Sequence, residues 1–334
     1  MKNKLIIITT LVKSETNNRK MQVERFVKYH LQFDCKIVIV VPDDVTVPIL
    51  DHTNVKIVPC KSSLYLTNKL LLALKEVTTQ YVAWIADDDF LGLDFTKKAI
   101  ELMDKNQNII SCDGMMIFKE EGTLKRANIS YSYASYKRHL KKADDLLVSE
   151  NLKFHADNYH PGAIHTVAKS DVIRNTLNFL SKYDIPAAFG DRIYFLMMLM
   201  HGDIRYIKSI SNIRSHGTRI MEHNPKLFNK TKIRPGEIIM YDEIIKDLID
   251  EYKKINNTMN FRIKSGIMYF ILIASKCMTP PRKEPFFQKL YKKYETIMAY
   301  IEPIRLSLFH KQIKKDIELA ERYMQRYPLT DSKG

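Results

Sequence analysis

The chain has 334 residues, 45% apolar and 27% charged. That balance supports a packed core in one large domain or two, and excludes wholesale disorder. A formal net charge of +15 points to an anionic partner, such as nucleotide phosphates, nucleic acid or an anionic membrane surface, unless it reflects only a lysine-rich composition.

In chain order, "KLIIITT" (Lys4 to Thr10) is an uninterrupted β-prone run. "NRKMQVERFVKYHLQF" (Asn18 to Phe33) carries Met21, Phe26, Val27, His30 and Leu31 at helical spacing. "CKIVIVVP" (Cys35 to Pro42) and "VKIVPC" (Val55 to Cys60) read as strands. "LTNKLLLALKEV" (Leu66 to Val77) reads as a helix with Thr67 as N-cap. "YVAWI" is a fourth strand, "DFTKKAIELMDKN" (Asp94 to Asn106) a helix and "NIISCDGMMIF" (Asn108 to Phe118) a strand. The polar stretch 121–160 reads as an insertion over the site or an acceptor-facing segment. "AIHTVAKS" (Ala163 to Ser170) returns to strand character, "DRIYFLMMLMHG" (Asp191 to Gly202) is a helix closed by its glycine, and "IRYIKSISNIR" (Ile204 to Arg214) is a strand. From about Arg219 the pattern is helical and rich in Lys and Glu. The expected division is 1–220 and 221–334. Strands that are apolar at nearly every residue, alternating with helices, predict an α/β fold with a mostly parallel sheet covered on both faces.

Several classes are set aside. Cys35, Cys60, Cys112 and Cys277 form no CxxC pair and have no zinc spacing, so they are expected as free thiols in a reducing, cytoplasmic setting. His155, His160 and His165 have no zinc spacing either; their segment reads as an acceptor-side loop with Asp157 and His160 as contacts. No signal peptide is expected. "GIMYFILIASKCM" (Gly266 to Met278) is too short for a membrane span of about 18 residues and reads as a core helix.

The informative stretch is "YVAWIADDDF", in which an apolar strand ends in Asp87, Asp88 and Asp89. Three adjacent carboxylates repel one another, so something positive is expected beside them. If the strand continues, Asp87 and Asp89 share a face and Asp88 points away. Paired carboxylates suit a hard cation, Mn²⁺ or Mg²⁺, whose open positions take phosphate oxygens. Such a cation neutralises charge developing on a leaving diphosphate. The plain alternative is an acidic loop, or a charge cluster ahead of a helix.

This strand and the "LGLDFTKKAIELMDKN" after it, behind a β-α-β-β-α opening, resemble glycosyltransferases of the GT-A fold. The likeness is to family-2-like members of the "DDDF" type, over about residues 4 to 215. The resemblance implies a Rossmann-like sheet, a nucleotide-sugar donor, UDP-linked, and a hexosyl or pentosyl transfer that depends on Mn²⁺ or Mg²⁺. Thr9, Thr10 and Leu11 would contact base and ribose. Asp43 or Asp44 would hold the base, or simply form a Pro-Asp-Asp turn. Asn68 and Lys69 would face ribose or diphosphate, against the alternative of a surface lysine. Asp89 would be the firmer metal ligand, and Asp87 would lie nearer ribose and metal, with Asp88 beside them on the donor. Asp191 matches an acceptor-side acid that could act as general base, though Asp is also ordinary at a helix start. In "NIRSHGTR", His216 matches a late metal ligand, or is structural, while Arg214 and Arg219 could grip the diphosphate. The family's "TYNR"-type phrase is here the longer and charged "TTLVKSETNNR".

The tail repeats an amphipathic design. "PGEIIMYDEIIKDLIDEYKKI" (Pro235 to Ile255) places Ile238, Tyr241, Ile244, Ile245, Leu248, Ile249 and Tyr252 on one face. It reads as a bundle packed on the catalytic domain or forming a homodimer, or as a basic surface for nucleic acid or anionic lipid at the inner membrane face. Acceptors consistent with the chain are a glycan or lipid-linked glycan, or hydroxymethylated DNA. A non-catalytic nucleic-acid or membrane-surface binding protein is the reading from another class.

Overall fold

The computed structural model describes residues 3–11, 18–48, 52–119, 127–129, 152, 165–183, 187–215, 235–257, 261–276, 315, 318–319 and 322–323. Nine strands form one sheet in the order β3-β2-β1-β4-β8-β6-β9-β5, with β7 pairing β6. They are β1 (Leu5–Thr10), β2 (Lys36–Pro42), β3 (Val55–Cys60), β4 (Tyr81–Trp84), β5 (Phe90–Leu91), β6 (Ile109–Lys119), β7 (Ala127–Ile129), β8 (Val167–Lys169) and β9 (Asp203–Ser215). The described helices are α1 (Asn18–His30), α2 (Leu66–Leu74), α3 (Leu93–Lys105), α4 (Ser170–Leu180), α5 (Ala187–His201), α6 (Pro235–Asn256) and α7 (Phe261–Lys276), with a short 3₁₀ turn, Leu31–Phe33, after α1.

The first four strands in the order are parallel, with Ile7 beside Ile37 and Ala83, and Ile39 beside Ile57. Antiparallel β8 then joins β4 to β6, β9 runs parallel to β6, and β5 closes the edge antiparallel to β9. Strands β1 and β2 are buried along nearly their whole length, as doubly covered strands must be. β3, in contrast, is half exposed, because it lies at the sheet edge.

Side-chain alternation divides the core. Leu5 and Ile7 pack with Val23, Phe26 and Phe95 under α1 and α3. Ile6 and Ile8 belong to the opposite cluster with Leu70, Leu177 and Phe195. That second cluster continues into Ile244, Leu248, Ile267 and Phe270 of α6 and α7.

Two close approaches bring the sheet and helices together. A Cβ on Gly92 would lie 1.7 Å from the Ile210 carbonyl oxygen, so only glycine fits where α3 begins against β9. Gly202 closes α5 at φ +155°, and a Cβ there would lie 2.5 Å from the Asn108 oxygen. The expected cap of α2 is corrected: the N-cap position is Tyr65, without a side-chain cap bond, and Thr67 lies inside the helix. Helix α5 begins at Ala187, so Asp191 lies in its second turn rather than at its start.

Candidate active site

Because β3, β2, β1 and β4 are parallel, their carboxyl ends collect on one edge of the sheet, the edge where ligands bind in such folds. Main-chain bonds carry the strand ends past the ladder. Leu11 N–H donates to Val40 O at 2.9 Å, Ile85 N–H to Ile8 O at 3.1 Å, and Asp43 N–H to Cys60 O at 2.9 Å. The edge thereby aligns Thr9–Leu11, Asp43 and the aspartate run.

The aspartates do not continue the strand. β4 ends at Trp84, Asp87 and Asp88 occupy a turn, and Asp89 N–H donates to Ala86 O at 3.1 Å. Simple strand alternation therefore does not separate them; a turn does. Its effect on burial is the one alternation would give: Asp87 and Asp89 are 7% and 3% exposed, and Asp88 is half-buried. Asn212, on β9 opposite Leu91, donates through Nδ2 to Asp89 Oδ2 at 3.3 Å.

Strand β5, which follows the turn, is held from beneath by α1. Tyr29 Oη donates to Leu91 O at 2.9 Å, and Leu91 N–H donates to His30 Nε2 at 3.2 Å. With Nε2 accepting, the ring proton belongs on Nδ1, which lies 2.8 Å from Phe26 O and donates to it. Burial pushes His30 down to about 3, against the opposing effect of the Phe26 bond, so the ring is neutral. The Arg25 guanidinium lies 5.3 Å from the centre of the Phe90 ring, which also meets Tyr29 edge-on at 4.8 Å. Arg25 is 1% exposed.

The other expected residues are placed as follows. Thr9, Thr10 and Leu11 are buried at the end of β1, and Thr9 Oγ1 has no hydrogen-bond partner. Asp43 and Asp44 form an exposed turn closed by Val45 N–H on Pro42 O at 3.0 Å. Asp43 Oδ1 accepts from Ser62 N–H at 2.9 Å, and the bonds from Ser62 hold its carboxyl below the usual range. Lys69 is buried, with its charge beside the Cys60 thiol at the same edge. Asn68 lines a groove between α2 and α4 with Leu71, Arg174 and Asn178. Asp191 is half-buried in α5, and its charge adds to burial in raising the Tyr194 phenol. Arg214 lies on β9 opposite Phe118. His216 and Arg219, like Asp157 and His160, lie outside the described residues.

Sequence reading did not assign Tyr29, His30 or Asn212 to the site. The signal for His30 was present, since it falls on the apolar stripe of its helix. Its partner Leu91 is 61 positions away, and no local pattern reveals that.

Asp87 and Asp89 have the oxygen donors and burial that a hard cation accepts. Among the described residues, however, no group of three possible ligands converges. Residues 21–159, which include the turn, match the family model described as Glycosyl transferase family 2.

The chain is a GT-A-fold glycosyltransferase.

The fold of this glycosyltransferase is shared with TarS of S. aureus. Against TarS 1–349 in complex with UDP-GlcNAc, the alignment covers 97% of this chain and 91% of that one, at 14% identity and a TM-score of 0.51. Against TarS 1–349 in complex with UDP it covers 99% and 93%, at 12% identity and a TM-score of 0.46. At such identities the likeness concerns the fold. A search of curated proteins finds no match.

Proposed function

We propose that this glycosyltransferase moves a sugar from a UDP-linked donor to a hydroxyl of a glycan or lipid-linked glycan, with a divalent cation at Asp87 and Asp89. The observation that carries the reading is the buried pair of carboxylates in a turn at the carboxyl edge of the parallel strands, where Asn212 orients Asp89. Asp87 and Asp89 would hold Mn²⁺ or Mg²⁺, which would neutralise charge developing on the leaving diphosphate.

In this reading Thr9, Thr10, Leu11 and the Asp43–Asp44 turn receive base and ribose, Asp88 flanks the donor, and Lys69, Arg214 and Arg219 face phosphate oxygens. His216 is the proposed third metal ligand. Asp191 takes the proton of the acceptor hydroxyl as its oxygen attacks the anomeric carbon. The bond from that carbon to the diphosphate oxygen breaks, and UDP leaves with its electron pair. The complex of TarS with UDP-GlcNAc makes UDP-GlcNAc the first donor to test.

The acceptor is proposed to sit at an anionic surface. Helix α7 contains Arg262, Lys264 and Lys276 and no acidic residue. Its exposed side presents Met268 and Leu272, 48% and 52% exposed, one and two turns beyond Lys264. Such a cationic and apolar stripe suits anionic lipid better than a DNA backbone, which offers no apolar contact. No helix among the described residues is long and apolar enough to cross a membrane.

The test is UDP-GlcNAc turnover with Mn²⁺. We expect Asp89→Asn to lower kcat by about 100-fold or more, on the scale of lost electrostatic stabilisation in a transition state. Unchanged turnover in that variant removes the metal assignment.

A further inference from the structure

We infer that Tyr29 and His30 of α1 are positioning residues for the aspartate turn: their side chains hold both main-chain groups of Leu91, and so set where Asp89 presents its carboxylate. This inference rests on the reading of Asp87 and Asp89 as a metal and donor site.

Strand β5 has two residues and one strand neighbour. On one side it pairs with β9, Phe90 beside Ile213 and Leu91 beside Asn212. On its other side no strand of the described residues follows in the sheet order, and a two-residue edge strand is marginal by itself. There α1 supplies what a neighbouring strand would. Tyr29 Oη donates to the Leu91 carbonyl and His30 Nε2 accepts from the Leu91 N–H, so two consecutive side chains bond one residue's donor and acceptor.

The arrangement is stiff throughout. His30 is 0% exposed and Tyr29 1%. The His30 ring is fixed from its far nitrogen by Phe26 O at 2.8 Å and packs on Phe26 at 4.1 Å between centroids. Tyr29 meets Phe90 and Tyr323 edge-on, at 4.8 and 5.4 Å. Asp89 is thus two residues from the clamped Leu91, and its own Oδ2 meets Asn212 from the opposite side. Buried side chains that already satisfy the main chain leave the turn little freedom, and a metal site tolerates little misplacement of its ligands.

A structural role alone would lower stability and leave metal affinity unchanged. The full-length chain is therefore compared with Tyr29→Phe, His30→Leu and His30→Gln. The readouts are the melting temperature without ligand, and the Mn²⁺ concentration that half-saturates the thermal shift produced with UDP. Tyr29→Phe keeps the ring against Phe90 and loses only the bond to Leu91. We expect it to raise the half-saturating Mn²⁺ about tenfold, as loss of one buried hydrogen bond allows. His30→Leu is expected to do the same, and His30→Gln, whose side-chain oxygen can accept from Leu91 N–H, to recover most of the affinity. Tyr29→Phe and His30→Leu titrating like the parent, whatever their melting temperatures, overturns the inference. Asp89→Asn serves as the control: if it too leaves the Mn²⁺-dependent shift intact, the metal reading itself fails. If it abolishes the shift while Tyr29→Phe does not alter it, only the clamp fails.

Discussion

His30 shows how one residue acquires a role from its surroundings. Its position on the apolar face of α1 predicts burial, and burial holds its pKa down to about 3. The linkage follows from the sign of that shift. Above pH 6.5 the ring is neutral in both states and its contribution to stability is complete. As pH falls below 6.5 the unfolded chain takes up the proton first, so stability is lost progressively toward pH 3, by up to about 1.4 kcal/mol per pH unit from this group. Urea midpoints measured between pH 7 and 4 should fall less steeply in His30→Gln than in the parent. His201, also lowered by burial, is retained in both proteins and cancels. Equal slopes in the two would contradict a buried neutral His30.

Among the elements, the junction of β5, α3 and β9 connects the site to the sheet. Gly92 N–H donates to Ser211 O at 3.0 Å, and Gly92 O accepts from both the N–H and the hydroxyl of Thr96, at 3.0 and 2.7 Å. Its Cα lies so close to the Ile210 carbonyl that a methyl group would overlap backbone. Backbone cannot swing aside as a long side chain can. Gly92→Ala should therefore cost about 1–3 kcal/mol, the usual range for overpacking, and should also weaken Mn²⁺ binding through displacement of β5. Denaturant unfolding within about 0.5 kcal/mol of the parent would show that the junction relaxes more easily than its geometry implies. Asn212, next along β9, carries the link from this junction to Asp89.

For the whole molecule, the question is whether α6 and α7 are an appendage. Helix α5 is apolar nearly all round, so it needs cover on every side. Its residues Ile193 to Met198 are buried, with the sheet on one side and α6 and α7 on another. Polar ties reinforce the packing: Asn256 Nδ2 donates to Met200 O at 3.3 Å, and Tyr183 Oη donates to Asp247 Oδ2 at 2.5 Å. Removing everything after residue 220 would uncover or delete Ile244, Leu248, Tyr252, Ile267 and Phe270 from the shared core. At roughly 1.5–3 kcal/mol per large apolar side chain, the loss is on the order of 10 kcal/mol, comparable with the whole stability of a domain. We expect a 1–220 fragment to lose its cooperative melting transition by calorimetry. A sharp transition in that fragment would make the division at 220 one between independent units.

How much of this was legible in the residues differs by kind of interaction. The strand-and-helix alternation, the double burial of β1 and β2, the GT-A resemblance and the acidic run at the end of β4 all follow from patterns within short windows, because hydrophobic period and turn chemistry are local. The antiparallel β8, the exposed β3 edge and the Leu91 clamp depend on pairing between distant segments, which no window contains. Asn68 shows the limit most directly: it lies one residue from buried Lys69, yet lines a groove with Arg174, because a helix turns its side chain about 100° per residue and neighbouring α4 decides what it meets. By itself, then, the sequence determined the fold class and the chemistry available in "DDDF". Tertiary structure decided that the strand stops at Trp84, that a turn buries Asp87 and Asp89, that α1 bonds Leu91 just beyond them and that Asn212 meets Asp89. The physical reason is that the position of a buried charge is settled by the groups packed around it, and those come from everywhere in the chain.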